Sequence, residues 1–309
     1  MKLILAPMQD VTDLAFMRTL KRINSLPDVF ITAYFRSTST TCALAEHNLR
    51  CIDENETGVP ILAQLAGSEA DALVRDAHML MNRPGVAGIN LNAGCPSPLV
   101  NRHGAGAGLL RDLPRFRDIL MALRDCVPAG QFSVKCRLGW ENEEAEFPGI
   151  LECLAAAAPD EVGIHARTRR QLYGGTPDFR YVQQAVNTLP CPVLANGDLN
   201  TPEQALDCLR ATGATGLMLG RGAVRNPYLF RQLKGGPPPT HEEMLAYYSI
   251  LIEETGRILL YKRTEKGHCN RMKKYLAFCY PDFTPEQEYQ LRRCTQVADM
   301  LRILTQHCP

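Results

Sequence analysis

PVLANGDLNTPEQALDCLRATGATGLMLG (192–220) holds a whole folding unit. It opens with an apolar run bounded by Pro192 and Gly197 and closes with a second, TGLMLG, over 215–220. Between them an amphipathic segment spans 201–212, started by Thr201-Pro202 with Glu203 following, a strong helix start. Strand, helix, strand at this spacing is the unit from which parallel sheets with crossover helices are built.

Working outward, the same rhythm recurs. Short β-rich runs bounded by Gly, Pro, Asn or Asp occur at LILAPM (3–8), VFITAY (29–34), PILAQLA (60–66), VAGINLN (86–92), FSVKCRL (132–138) and EVGIHA (161–166). With the two above they make eight. Amphipathic stretches at 12–24, 68–82, 115–126 and 178–189 lie between them. Eight strands alternating with helices predict an α/β fold, a (β/α)8 TIM barrel, over residues 1–235. After GGPPPTHEEM (235–244) the alternation stops and only helical patterns remain: HEEMLAYYSILIEE, CNRMKKYLAFCY and PEQEYQLRRCTQVADMLRIL. A small all-helical domain is therefore expected over 236–309.

The runs end in polar groups that an ordinary buried strand would not choose: Met8-Gln9, Tyr34 and Arg36, Gln64, Asn92, Lys135 and Arg137, His165 and Arg167, Asn196 and Asp198, Gly220-Arg221. In a barrel these carboxyl ends converge on one face, where such folds place their sites. Any one of them alone reads as a strand end facing water; together they point to a site.

Composition sets the class. The chain has 309 residues, 45% of them hydrophobic and 22% charged, enough to bury a large core. The start, MKLILAPMQD, lacks the long apolar region of a signal peptide, and no stretch is long enough to span a bilayer. The twelve cysteines are scattered through apolar runs with no CxxC pair, so reduced thiols in the cytoplasm are expected, with no metal site. A monomer is expected. The formal charge of +1 hides an uneven distribution. Residues 257–274 carry Arg257, Lys262, Arg263, Lys266, Arg271, Lys273 and Lys274 against Glu265 alone, whereas Glu141, Glu143, Glu144 and Glu146 suggest an acidic loop. The basic segment reads as a nucleic-acid patch or as a solvated helix face.

The most specific segment is NLNAGCPSPLVNRHGAGAGLLRD (90–112), a strand end followed by a Gly-Cys-Pro turn and a glycine-rich loop. With LAPMQDVTD (5–13), QLAGS (64–68), KCRLGW (135–140), HARTRRQLYGG (165–175), ANGDL (195–199) and GRGAVRNPYLF (220–230), in that order, the chain resembles the tRNA-dihydrouridine synthases. The RMKKYLAF segment in the helical extension brings it nearest to the bacterial C subclass. The resemblance implies a barrel that binds FMN, takes electrons transiently from NADPH and reduces a uridine of the tRNA D-loop, uridine 16 for this subclass.

Reduction of the uracil C5=C6 bond needs a hydride at C6 and a proton at C5. The resemblance makes Cys95 the proton donor. Free thiols titrate near ~8.5 and are mostly protonated at neutral pH, which suits an acid. Lys135 interrupts an apolar strand, where a lysine is costly without an anion or a paired carboxylate; the resemblance sets it against the flavin N1/C2=O edge. Gln64 and His165 match flavin-contacting positions, although His165 alone reads equally well as a core imidazole. The backbone at Ala6, Pro7 and Met8 would bracket the ring. Asn196, Gly197, Asp198, Gly220 and Arg221 follow the last two strands, where barrels commonly bind phosphate. Arg36, Asn92, Arg137, Arg167, Thr168 and Tyr173 are expected on the rim around the nucleotide, and Arg271, Lys273 and Lys274 on RNA phosphates. Asn90, Ala33 and Gln9 stand where the family commonly has acidic residues. Two other functions fit the residues: an FMN oxidoreductase of a small pyrimidine, and a non-catalytic RNA-binding relative. The basic segment disfavours the first, and Cys95, Lys135 and Arg221 disfavour the second.

Overall fold

The computed structural model describes residues 1–40, 43–259 and 264–306. Its strands are β1 (Lys2–Leu5), β2 (Val29–Ile31), β3 (Phe35–Arg36), β4 (Ile61–Ala66), β5 (Val86–Ala93), β6 (Phe132–Arg137), β7 (Glu161–His165), β8 (Val193–Asn196) and β9 (Gly216–Leu219). All pairings are parallel, in the order β2-β1-β9-β8-β7-β6-β5-β4-β3, and the pairing of β2 with β4 closes the barrel. All eight expected runs are strands. The second is interrupted, because the Thr32 hydroxyl takes the Gln64 N–H at 3.1 Å where a ladder carbonyl would otherwise accept. The chain then rejoins the wall as the two-residue β3, at Phe35↔Leu65.

Alternation sorts each strand into an inner and an outer face. Ile4, Ala6, Val29, Ile31, Leu194 and Met218 meet inside as a small apolar plug with Leu62 against it. Gly163 makes room for it, since a Cβ there would come within 2.7 Å of Met218 Cε. Towards the carboxyl ends the inward positions turn polar. Register sets Gln64 beside Asn90 and Asn90 beside Ser133, then Asn92 beside Lys135, and Arg137 beside His165 beside Asn196. The outward apolar residues pack on the surrounding helices, among them Leu14–Arg22, Ala70–Met81, Leu113–Cys126, Arg180–Thr188 and Pro202–Thr212. Thr201 caps the last of these as expected, accepting from Gln204 N.

One expectation needs correcting here. The acidic segment at 141–146 is no loop beyond Asn142: Glu143, Glu144 and Glu146 fill the first turn of helix Glu143–Ala157, where the helix dipole favours negative charge, and Asn142 caps it.

Beyond Gly235, at φ +86, come helices His241–Ile258, Glu265–Leu276, Pro285–Arg293 and Val297–Gln306. The long final run is therefore two helices, parted where Cys294 turns extended at ψ 134. These helices share one continuous apolar core with the barrel, through Tyr247, Leu251, Met272, Tyr275 and Leu304. Helix Leu14–Arg22 is the seam. Phe16 stacks on Tyr275 with centroids 6.2 Å apart, and Arg22 pairs with Glu253 and Glu254 at 2.7 and 2.8 Å. No described helix is long and apolar enough to cross a membrane, and no cluster of metal-ligating side chains occurs among the described residues.

Candidate active site

The polar strand ends converge at the carboxyl mouth. A depression of about 730 Å³ opens at the opposite end, lined by Met1, Lys2, Asp28, Glu161 and Thr215 among others, but Lys2 there is paired with Glu161 at 2.7 Å and no polar strand end reaches it. A cleft of about 150 Å³ at the mouth is lined by Tyr34, the exposed Arg36, Ser37, Ser68 and Ala105.

Cys95 follows β5 on a loop fixed from within the barrel. Asn92 Oδ1 accepts from Gly94 N at 3.1 Å and Cys95 N at 2.9 Å, while Asn92 Nδ2 donates to Gln64 Oε1 at 3.0 Å. Gln64 Nε2 donates to Asn90 Oδ1, and Asn90 Nδ2 to Ser133 Oγ, each at 2.8 Å. A buried amide chain thus runs across β4, β5 and β6 to the Cys95 backbone. Asn90 accepts and donates at once within it. From the outer side Asn101 Nδ2 donates to Cys95 O at 2.8 Å. Gly106 closes the loop at φ +60, where a Cβ would lie 3.0 Å from Cys95 Cβ. The half-buried Cys95 is therefore held at its backbone on both sides, with its thiol unbonded by any described residue.

Lys135 is the second distinctive group. It has no ion pair or hydrogen bond among the described residues, although protein hems it in on the inner wall. Burial first, and then the Arg137 charge, bring its pKa down to about 8. His165, in the next strand, is driven well below its usual range by burial and then by Arg137, Lys135, Arg167 and Arg221, so it is neutral at pH 7. Asn196 Nδ2 donates to Met218 O at 2.6 Å. Gly197 (φ +135) and Asp198 (φ +45) turn the chain away from β8 in the left-handed region. A Cβ on Gly220 would touch Ala6 Cβ and Met8 Sδ at 3.4 Å, so the β1 and β9 ends lie together. Among the described residues no acceptor meets the N–H groups of Gly197, Asp198, Gly220 or Arg221.

Five expected positions need correction. Asn92, expected on the rim, is buried, its amide taken up by Gln64 and the Cys95 loop. Arg137 and Arg167 are buried, at 1% and 0% exposure, and do not stand on the rim. Arg137 donates to the carbonyls of Gly94, Thr168 and Leu172 at 2.8–2.9 Å, bridging the Cys95 loop to the loop after β7, and burial lowers its pKa to about 10. Arg167 donates to Gly174 O at 2.9 Å and pairs with Asp198, which also takes Arg221. Thr168 is buried, its N–H on Gln171 Oε1. Arg271 lies at the seam with the helical segment, paired with Asp13, and is only 14% exposed. Lys274 is beside it on Asp10 at 2.9 Å, and Lys273 has no partner among the described residues. Lys262 and Arg263 of the expected basic patch lie outside the described residues. Tyr173, by contrast, stands open at the mouth, its ring 4.6 Å from the Arg221 guanidinium carbon and 5.6 Å from that of Arg137.

Tyr34 entered the sequence reading only as a strand-end group with no assigned role, and Asn101 escaped it. Tyr34 faces Cys95, and burial followed by that thiol pushes its phenol up from the ordinary value; its place at a strand end was the available signal. Asn101 gave none, because its amide meets Cys95 O only when the loop turns back on itself, and its oxygen takes Arg169 Nε at 3.1 Å across 68 positions.

A protein-family model described as dihydrouridine synthase (Dus) matches residues 4–308. A tRNA-dihydrouridine(16) synthase of Neisseria meningitidis is 32% identical over 317 residues, covering 97% of this chain and 92% of that protein. One from Vibrio parahaemolyticus is 30% identical over 300 residues, covering 91% and 89%. Among solved structures, an old yellow enzyme homologue from Zymomonas mobilis aligns with TM-score 0.55 at 13% identity, covering 78% of this chain and 90% of its own.

Proposed function

Since the chain belongs to the dihydrouridine synthase family, we propose that it reduces a uridine of tRNA, uridine 16 of the D-loop, to 5,6-dihydrouridine, with FMN as bound cofactor and NADPH as reductant. The observation that carries the reading is an uncompensated Lys135 at the same mouth as a backbone-clamped Cys95.

The residues present fit a flavin. Lys135 lacks an anion and would meet the electron-rich edge of the ring, while Ala6, Pro7 and Met8 would flank it beside Gly220. The free N–H groups at Gly197, Asp198, Gly220 and Arg221 suit a phosphate, with the Arg221 side chain alongside; the Asp198 carboxylate serves to hold Arg167 and Arg221. Gln64 and the neutral His165 would contact the ring and its tail. When bound, the flavin supplies the hydride taken up at uracil C6, and NADPH renews it.

The protein's own part is orientation and proton delivery. Cys95 Sγ gives its proton to C5, and Asn92 and Asn101 hold the backbone that aims it. Tyr173 and Arg36, open at the mouth, contact the nucleotide. The barrel, 1–235, carries the chemistry, and the helical segment, 236–309, carries part of the tRNA contact through Lys273. A monomer working in the cytoplasm fits this role.

Mass analysis of tRNA from a strain lacking the gene tests the proposal. Dihydrouridine at position 16 should vanish, return with the parent gene and stay absent with Cys95→Ala. A purified protein that takes up no flavin on reconstitution would overturn it.

A further inference from the structure

The sequence put RNA binding on residues 257–274, but the structure has already used most of the described charge there. Arg257 pairs with Glu253 and Glu254, Arg271 with Asp13, and Lys274 with Asp10. Positive charge without a carboxylate partner gathers instead at the barrel mouth, beside the Cys95 loop.

Its centre is Trp140, in the loop after β6. Two guanidiniums lie over its ring, Arg111 at 4.9 Å and Arg169 at 4.5 Å from the centroid. They come from separate segments, Arg111 from the end of the glycine-rich loop and Arg169 from the loop after β7. Arg169 N donates to Gly139 O at 2.8 Å, locking the two loops together. Arg169 Nε donates to Asn101, the same side chain that braces Cys95 O. Arg102, next to Asn101, is exposed, and its Nε donates to His103 Nε2 at 2.9 Å. Neither Arg102, Arg111 nor Arg169 has an ion pair among the described residues.

An aromatic ring that supports guanidiniums removes much of their freedom without neutralising them, and leaves planar N–H forks suited to phosphate oxygens. A free pyrimidine would gain nothing from such an array outside the barrel; a phosphodiester backbone would. We infer that Arg111 and Arg169, held on Trp140, together with the exposed Arg102 beside Asn101, form a phosphate-binding platform that grips the RNA backbone next to the uridine in the mouth. This rests on the proposed function and adds where the RNA is held: on the glycine-rich-loop side of the mouth as well as on the helical segment. Because Asn101 joins the platform to the Cys95 loop, backbone capture and proton donor share one support.

Trp140 is the chain's single tryptophan, so its emission reports on the platform alone. Unmodified tRNA is titrated into the flavin-loaded parent and into an Arg102→Glu/Arg111→Glu double variant, following both Trp140 emission and tRNA anisotropy at several salt concentrations. Binding to the parent should alter the emission. The double reversal should weaken affinity at least about tenfold and lower the slope of log affinity against log salt by about one per charge removed. Both side chains are exposed, so the variant should keep the parent's circular dichroism; if it does not, Arg111→Gln alone replaces it. Retained affinity and slope in the reversal would overturn the platform, whatever the emission does, and leave the family reading standing. A parent that binds no tRNA would overturn the proposed function, and the platform with it.

Discussion

Replacing Arg271 by Ala separates two accounts of the helical segment. If the guanidinium served RNA phosphates, its loss would weaken tRNA binding and leave the fold alone. The structure instead puts it against Asp13 at the barrel seam, with 14% and 17% of the two side chains exposed. Burial works against the Arg271 charge, but Asp13 and Tyr275 more than offset it and hold its pKa above the usual value. Removing one member of a buried pair costs about 3–5 kcal/mol. The lower figure applies here, because Asp13 would keep the Phe16 N–H at 3.1 Å and the Tyr275 hydroxyl at 2.8 Å. A loss of about 3 kcal/mol corresponds to roughly a 5 °C fall in melting temperature for a chain of this size. Being buried, the pair is little screened, so the fall should persist in high salt. Calorimetry or circular dichroism measures it, with tRNA anisotropy alongside. An unchanged melting temperature combined with weakened tRNA binding would refute the seam assignment and return Arg271 to the RNA.

Cys95→Ala should retain flavin and its reduction by NADPH while dihydrouridine formation stops; equal turnover, read by mass analysis of tRNA, would remove Cys95 from the reaction. Lys135 titrates near about 8 in the folded chain against 10.5 in the open one, so the unfolded state binds more protons between those values and flavin-free protein should gain stability as pH rises through them. Lys135→Met should erase that gain, stabilise the flavin-free fold by up to about 3 kcal/mol at pH 7 and weaken flavin retention; parallel denaturation profiles for the two proteins across that window would contradict this. Gly106→Ala should cost roughly 1–3 kcal/mol, from a left-handed φ and a Cβ 2.9 Å from Val100 Cγ1, and should slow product formation more than it lowers flavin content. Full turnover in that variant would show that the Cys95 loop tolerates displacement.

The barrel was legible because buried parallel strands read as apolar runs closed by glycine or proline, and eight such runs leave few other closures. The two-residue β3 was invisible, since it depends on Thr32 diverting one ladder bond from 32 positions away. Helix Glu143–Ala157 escaped because it is apolar on several faces and carries Pro148 inside, which hides the amphipathic signature. At the site, alternation identified which polar residues point inward, but not how deep each ends. Arg137 and Arg167 look like rim groups on paper, and only the carbonyls of neighbouring loops decide that they fold back as braces. Arg271 and Asp13 stand 258 positions apart, so nothing local announces that a cation in a basic run is already spent.

The way the arginines are satisfied also explains the electrostatics of the mouth. A buried guanidinium must have acceptors, and carboxylates would be the usual ones. Arg137 takes three backbone carbonyls instead, which meet its donors but cancel none of its charge. Arg167 and Arg221 share the one carboxylate of Asp198, so that pair of cations is only half compensated. Lys135 is compensated by nothing described. The residual field is visible in His165, whose imidazole is pushed neutral by burial and by all four of these cations. A barrel built for stability alone would gain by placing another carboxylate here. The fold forgoes it, and the positive potential left at the mouth is what an anionic cofactor and an RNA backbone both require. Cys95 sits inside the same field, anchored by the neutral amides Asn92 and Asn101, and the cations reach its loop as well, Arg137 through Gly94 O and Arg169 through Asn101. Positioning and attraction therefore share residues at this mouth, and replacing Arg137 should loosen the Cys95 loop as well as weaken the field.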